Sequence, residues 1–241
     1  SYLHRIINFM KYFLSIFSIF FLLGCNSNDH YIPSPVDQMI KTMKKEQAFS
    51  IILDDMDVKD DDFFHKYSVV KEDKEGKITT SITDFILVDY NFFKQNENNL
   101  GMQVAAKDSA GKITKAAIPA GFDRYIGNSR YGRWNESGGQ SFWVFYGQYA
   151  MLRSVFGLGY HPAYYNMHYG YYYGGYRGSN RPYYGNVGSG PNSYGTKSAA
   201  VKKGKPNFFS RKARNTNWKR STSRSSSSRR SGRGGGFGFG K

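Results

Sequence analysis

The sequence predicts an α+β fold: a small, mainly antiparallel sheet with a short N-terminal helix, one further apolar helix, and a long disordered basic tail. Three observations predict it. Short runs of β-forming residues recur between residues 36 and 120, separated by turn-like clusters. One stretch ahead of them carries helical apolar spacing. No Asp or Glu follows Glu136, while Arg, Lys, Ser and Gly accumulate towards the end, so the formal net charge of +16 is concentrated in the second half.

At the start of the chain, His4, Arg5 and Lys11 precede an apolar and hydroxyl run from Tyr12 to Leu23, then Gly24 and Cys25. This is the charged, apolar, small-residue order of an export signal, and the run is shorter than the roughly 20 apolar residues of a membrane span. Met10 offers a compact start for such a signal. Leu22-Leu23-Gly24-Cys25 resembles the lipobox of bacterial lipoproteins. That resemblance implies a signal over residues 1–24, cleavage before Cys25, and acyl chains on Cys25 as the partner for membrane lipid. Several chains together would anchor the protein stably. The alternatives are an ordinary signal peptide or an uncleaved anchor helix. Cys25 is the single cysteine, so no internal disulfide can form.

Residues 25–35 read as a polar tether with Pro33 and Pro35. A small α+β domain is expected over 36–120. Ser34 suits the cap of a helix with Pro35 in its first turn; Val36, Ile40 and Met43 form its apolar stripe, which ends near Gln47. Phe49 to Leu53, Tyr67 to Val70 and Phe85 to Val88 read as strands, with Asp54 to Asp62 as an acidic loop between the first two. Met102 to Ala106 and Ile113 to Ile118 flank Asp108-Ser109-Ala110-Gly111, where Gly111 fits the left-handed position of a hairpin loop.

Residues 121–156 are expected to form a Gly-containing linker and one apolar helix from Phe142 to Phe156. This helix would pack on the sheet or lie in a membrane interface with Arg153 snorkelling. Residues 157–196 are Tyr/Gly-rich, with no fixed period, and read as irregular. Residues 197–241 hold too few aliphatic residues to bury a core and read as a disordered basic tail.

Several stretches invite chemical readings. Gly190 to Ser198 nearly matches a phosphate-binding loop, but Thr196 is inserted before Lys197 and no apolar strand precedes it. His161 and His168 could hold a soft metal, yet Pro162 breaks the helix that would align them. The Asp54 to Asp62 cluster lacks the central glycine and closing glutamate of a calcium loop, and reads as a solvated loop that could dock the chain's own basic arm. No Gly-x-Ser-x-Gly elbow or comparable constellation occurs, so neither enzymatic activity nor a cofactor is expected. The sites expected are Cys25 for lipidation and Arg211, Lys212, Arg214, Lys219, Arg220, Arg224, Arg229, Arg230 and Arg233 for polyanions. In the cell envelope those polyanions are anionic lipids or glycans. Without an export signal, the same arm would serve a nucleic-acid binder.

Two further stretches carry resemblances. Gln47-Ala48-Phe49-Ser50-Ile51-Ile52-Leu53 is similar to the amino-terminal domain of small Gly-rich lipoproteins of epsilon-proteobacteria. Ser141-Phe142-Trp143, Gly147 to Arg153 and the Ser/Arg/Gly-Phe-Gly tail resemble enterobacterial exported proteins of unknown function. Both imply an exported chain and neither implies an activity. Among proteobacterial lipoproteins an aspartate after the cysteine retains the protein in the inner membrane. Asn26 stands there in this chain, which implies the outer membrane where the cell has one.

Overall fold

A computed structural model describes residues 32–157, 164–185 and 190–219. The expectations for the signal, Cys25, His161 and the tail beyond residue 219, with Arg220, Arg224, Arg229, Arg230 and Arg233, lie outside the described residues. Helix α1 (Pro35–Thr42) begins where the sequence places it. Ser34 Oγ accepts the Asp37 N–H at 3.3 Å, and Pro35 occupies the first turn. It ends sooner than Gln47, because Ala48 already belongs to the first strand.

Strands β1 (Ala48–Lys59) and β2 (Asp62–Glu72) form a long antiparallel hairpin. The acidic stretch is therefore not a loop; only Asp60 and Asp61 turn the chain, with Asp60 at φ +54°. Met56 and Val58 explain the correction. A bulge at Asp54 restores their face, so they are buried beside Leu53 despite the break in alternation. Strands β3 (Ile78–Ile82) and β4 (Ile86–Val88) both pair with β2. Helix α2 (Tyr90–Asn96), unexpected from the sequence, starts at Asp89, whose Oδ1 accepts the Asn91 N–H at 2.7 Å. Strand β5 (Met102–Lys107) returns to pair with β1. Strands β6 (Ile113–Thr114) and β7 (Ile118–Pro119) pair with β5, and Gly111 takes the left-handed conformation, φ +85°, expected of it. All pairings are antiparallel, in the order β3-β2-β1-β5-β6 with β4 on β2 and β7 on β5.

The expected linker and apolar helix become a second sheet. Strands β8 (Gly132–Ser137) and β9 (Gln140–Phe145) pair across Gly138 and Gly139, both at positive φ, as a tight hairpin turn requires. Phe142, Trp143, Val144 and Phe145 are β-forming residues, and the Trp134–Trp143 pair stacks edge to face with centroids 5.1 Å apart. Of the expected helix there remain a single 3-10 turn (Gly147–Tyr149) and helix α3 (Met151–Val155). The Tyr/Gly segment is not wholly irregular either: α4 (Asn166–Gly175) buries Tyr172. Helices α5 (Ala199–Gly204) and α6 (Pro206–Arg214) occupy the start of the stretch expected to be disordered, and residues 216–219 add a further helical turn.

This organisation explains why Ala48 to Leu53 is buried without alternation: the main sheet is covered on both faces. On one face Ile52, Val70, Ile78 and Met102 meet a layer drawn from residues 116–194, including Phe122, Tyr125, Tyr164, Tyr172 and Tyr194. On the other, Phe49, Ile51, Leu53, Tyr67 and Val69 meet Val36 and Met43, Phe93 of α2, Val201 of α5, Phe208 of α6, and Trp218. Segments on either side of residues 120 and 197 contribute side chains to shared cores. The fold is α+β with a mainly antiparallel sheet and several helices.

Candidate functional site

Three apolar side chains pull the C-terminal basic segment onto the sheet. Val201, Phe208 and Trp218 are buried, with Phe208 and Trp218 edge to face at 5.5 Å. Ser198 Oγ caps α5 by accepting the Val201 N–H at 3.2 Å, and Pro206 begins α6.

The acidic hairpin then fixes the register of these helices. Lys205 Nζ lies 2.8 Å from Asp54 Oδ1; an Arg211 terminal nitrogen lies 2.7 Å from both Asp55 carboxylate oxygens, and its Nε 4.0 Å from Asp57. The acids do dock the arm, as their sequence position allowed. The bulge is what places Asp54 and Asp55 there.

The described members of the expected polyanion set consequently differ in environment. Arg211 is committed to carboxylates. Lys212 lies over the Trp218 ring at 5.0 Å and the Phe208 ring at 5.9 Å, and burial lowers its pKa. Arg214 and Lys219 are exposed, and so are Lys202 and Lys203, which the sequence pattern did not single out.

The near phosphate loop is used as structure. Thr196 Oγ1 accepts the Leu100 N–H at 3.1 Å and donates to the Glu97 carbonyl at 2.7 Å. Gly195, at φ +78°, passes so close to the Asn98 carbonyl that a Cβ would sit 2.5 Å from its oxygen. His168 is half-buried against Tyr194, its Nδ1 3.1 Å from the phenol oxygen, and burial lowers its pKa. Among the described residues no three His, Cys, Asp or Glu side chains converge as metal ligands, and no helix is long and apolar enough to cross a membrane.

Two buried groups, Glu72 and His65, and one half-buried carboxylate, Asp123, were not singled out in the sequence. Glu72, with 1% of its side chain exposed, receives Arg124 at 2.5 Å, the Tyr131 hydroxyl at 2.9 Å, and Arg130 at 3.6 Å. Asp123 accepts hydrogen bonds from Tyr172 and, at 3.2 Å, from Gln103; burial raises its pKa despite them. His65 is fully buried, bonded at 2.9 Å to Tyr67 Oη and stacked on Phe93, and burial holds its pKa down at about 3. A signal for Glu72 is present: it continues the every-second-residue face of Ser68 and Val70. Asp123 and His65 carry no comparable pattern.

Each of these groups ties one part of the fold to another. Glu72 and Asp123 pin the tyrosine layer to the sheet, and His65 joins β2 to α2. Comparisons with protein-family models, curated proteins and solved structures find no match.

Proposed function

We propose that the chain is a non-enzymatic envelope lipoprotein, anchored through Cys25, whose basic C-terminal region binds anionic lipid or glycan. One observation carries the binding half of this reading: the acid-free stretch after Glu136 begins its basic segment with helices whose Lys205 and Arg211 are neutralised by Asp54, Asp55 and Asp57, while Lys202, Lys203 and Arg214 stand exposed. Arg220, Arg224, Arg229, Arg230, Arg233 and Lys241 follow in sequence without one acid among them. A cationic stretch of this kind gains about 1 kcal/mol per basic residue near an anionic membrane, screened by salt. The anchoring half rests on Leu22-Leu23-Gly24-Cys25 and on the short polar tether between Cys25 and α1.

Fractionation and vesicle binding test the two halves separately. Cys25→Ala is expected to move the protein from the membrane to the soluble fraction, and globomycin to accumulate precursor; continued integral association of the variant overturns the anchor. Replacing Arg229, Arg230 and Arg233 by Ala is expected to weaken binding to phosphatidylglycerol vesicles roughly a hundredfold at low salt, from about 1 kcal/mol per residue. Unchanged binding, or affinity for duplex DNA well above that for heparin and vesicles at equal salt, overturns the envelope-polyanion reading.

A further inference from the structure

A cleft of about 330 Å³ opens where the start of α1, the end of α2 and the Asn180 to Tyr184 stretch meet. Its size falls at the lower end of small-molecule sites, roughly 300 to 1,000 Å³. Its lining includes four residues with primary amides, Gln95, Asn96, Asn99 and Asn180, and two aromatic residues, Phe92 and Tyr184. The two charged side chains in it, Lys115 and Asp37, are paired with each other at 2.5 Å, so the cleft carries no net charge.

The amides are oriented by a relay. Tyr184 Oη donates to Asn99 Oδ1 at 2.8 Å; Asn99 Nδ2 donates to Asn96 Oδ1 at 3.0 Å; Asn96 Nδ2 donates to the Phe92 carbonyl at 3.0 Å. Each of those two amide nitrogens keeps a second N–H, because a primary amide has two donors. Gln95 and Asn180 are exposed and make no side-chain hydrogen bond among the described residues. The result is a set of fixed and adaptable groups, each able to donate or accept, in a cleft that two aromatic residues also line.

We propose that this cleft binds a neutral saccharide of one or two rings. A sugar hydroxyl both donates and accepts, which matches primary amides, and the C–H face of a pyranose matches an aromatic ring. An anion finds no uncommitted cation in the lining, since Lys115 is held by Asp37. The inference stands on the cleft alone and is independent of Cys25 and of the basic tail.

The test uses the full chain in a detergent without a sugar headgroup, titrated with N-acetylglucosamine, N,N′-diacetylchitobiose and maltose, with adenosine and inorganic phosphate as competitors. Calorimetry is expected to show saturable binding of at least one sugar. In nitrogen-15 spectra that sugar shifts the side-chain amide signals of Gln95, Asn96, Asn99 and Asn180. Gln95→Ala and Asn180→Gly, the latter preserving the left-handed backbone at φ +54°, are each expected to weaken it several-fold and together at least about tenfold, with unchanged melting curves. If a variant fails to fold, the wild-type amide shifts locate the sugar by themselves, and shifts confined to other residues count against the cleft. Absence of saturation by every sugar at about 10 mM, full affinity in the folded double variant, or tighter binding of adenosine or phosphate at the same amides overturns the proposal.

Discussion

His65 shows what a single residue contributes here that its type alone would not reveal. It lies fully buried between Tyr67 and Phe93, neutral, with its folded pKa lowered to about 3 by desolvation. An unfolded histidine titrates near 6.5, so between about pH 6.5 and 3 the unfolded chain binds a proton that the folded one refuses. Stability from this residue is therefore complete above pH 6.5 and is lost as pH falls. His168 acts in the same direction, while Asp123, raised by burial, opposes both. His65→Gln keeps a donor and acceptor for Tyr67 but removes the titration. Urea unfolding is expected to show wild type losing about 3 kcal/mol more than the variant between pH 6.5 and pH 4. Parallel losses in the two proteins would sink this assignment.

The docking of α6 is a contest between apolar burial and ion pairing, and magnitudes decide it. Phe208 is 2% exposed and contacts Trp218, so Phe208→Ala is expected to cost roughly 3–5 kcal/mol by lost transfer and cavity terms. Arg211 and its partners are partly solvated, so Arg211→Ala is expected to cost about 1 kcal/mol or less. Chemical denaturation of the two variants distinguishes these roles, and a larger loss from Arg211→Ala would reverse them. The same contest explains why this segment reads as a disordered tail in the sequence. Phe208 and Trp218 are spaced too far apart, among too many cations, to announce a core, yet each finds a pocket that a distant part of the sheet has already built. Legibility elsewhere follows locality. The Ser34 cap, the Phe49–Leu53 half of β1 and the Gly111 turn depend on adjacent residues and can be read directly. The β8–β9 hairpin is also local, announced by Gly138-Gly139 between aromatic runs, but the unbroken apolar stretch after it fits a helical period equally well. The amide cleft is illegible because Gln95, Asn99 and Asn180 come together only through tertiary folding.

At the scale of the molecule, the main sheet belongs to two cores at once. Ile52 faces the tyrosine layer while its neighbours Ile51 and Leu53 face the helices, so neither layer can leave without exposing a face of the same strand. Polar ties reinforce the apolar ones. Glu72 on β2 holds Arg124 and Tyr131 of the tyrosine layer, and Thr196 joins the start of the C-terminal segment to Glu97 and Leu100 after α2. A unit built this way is expected to unfold in one cooperative transition rather than shedding its Tyr/Gly or basic segments first. The three tryptophans permit a direct test, because Trp134 and Trp143 pack in one core and Trp218 in the other. In Trp218→Phe the fluorescence reports the tyrosine layer, and in Trp134→Phe/Trp143→Phe it reports the C-terminal helices. Each variant's fluorescence midpoint in urea should coincide with its own far-ultraviolet circular dichroism midpoint. If the Trp218 signal is lost at lower urea than the sheet signal, α5 and α6 are a separable attachment, and the stability of the basic segment is decoupled from the sheet that positions it.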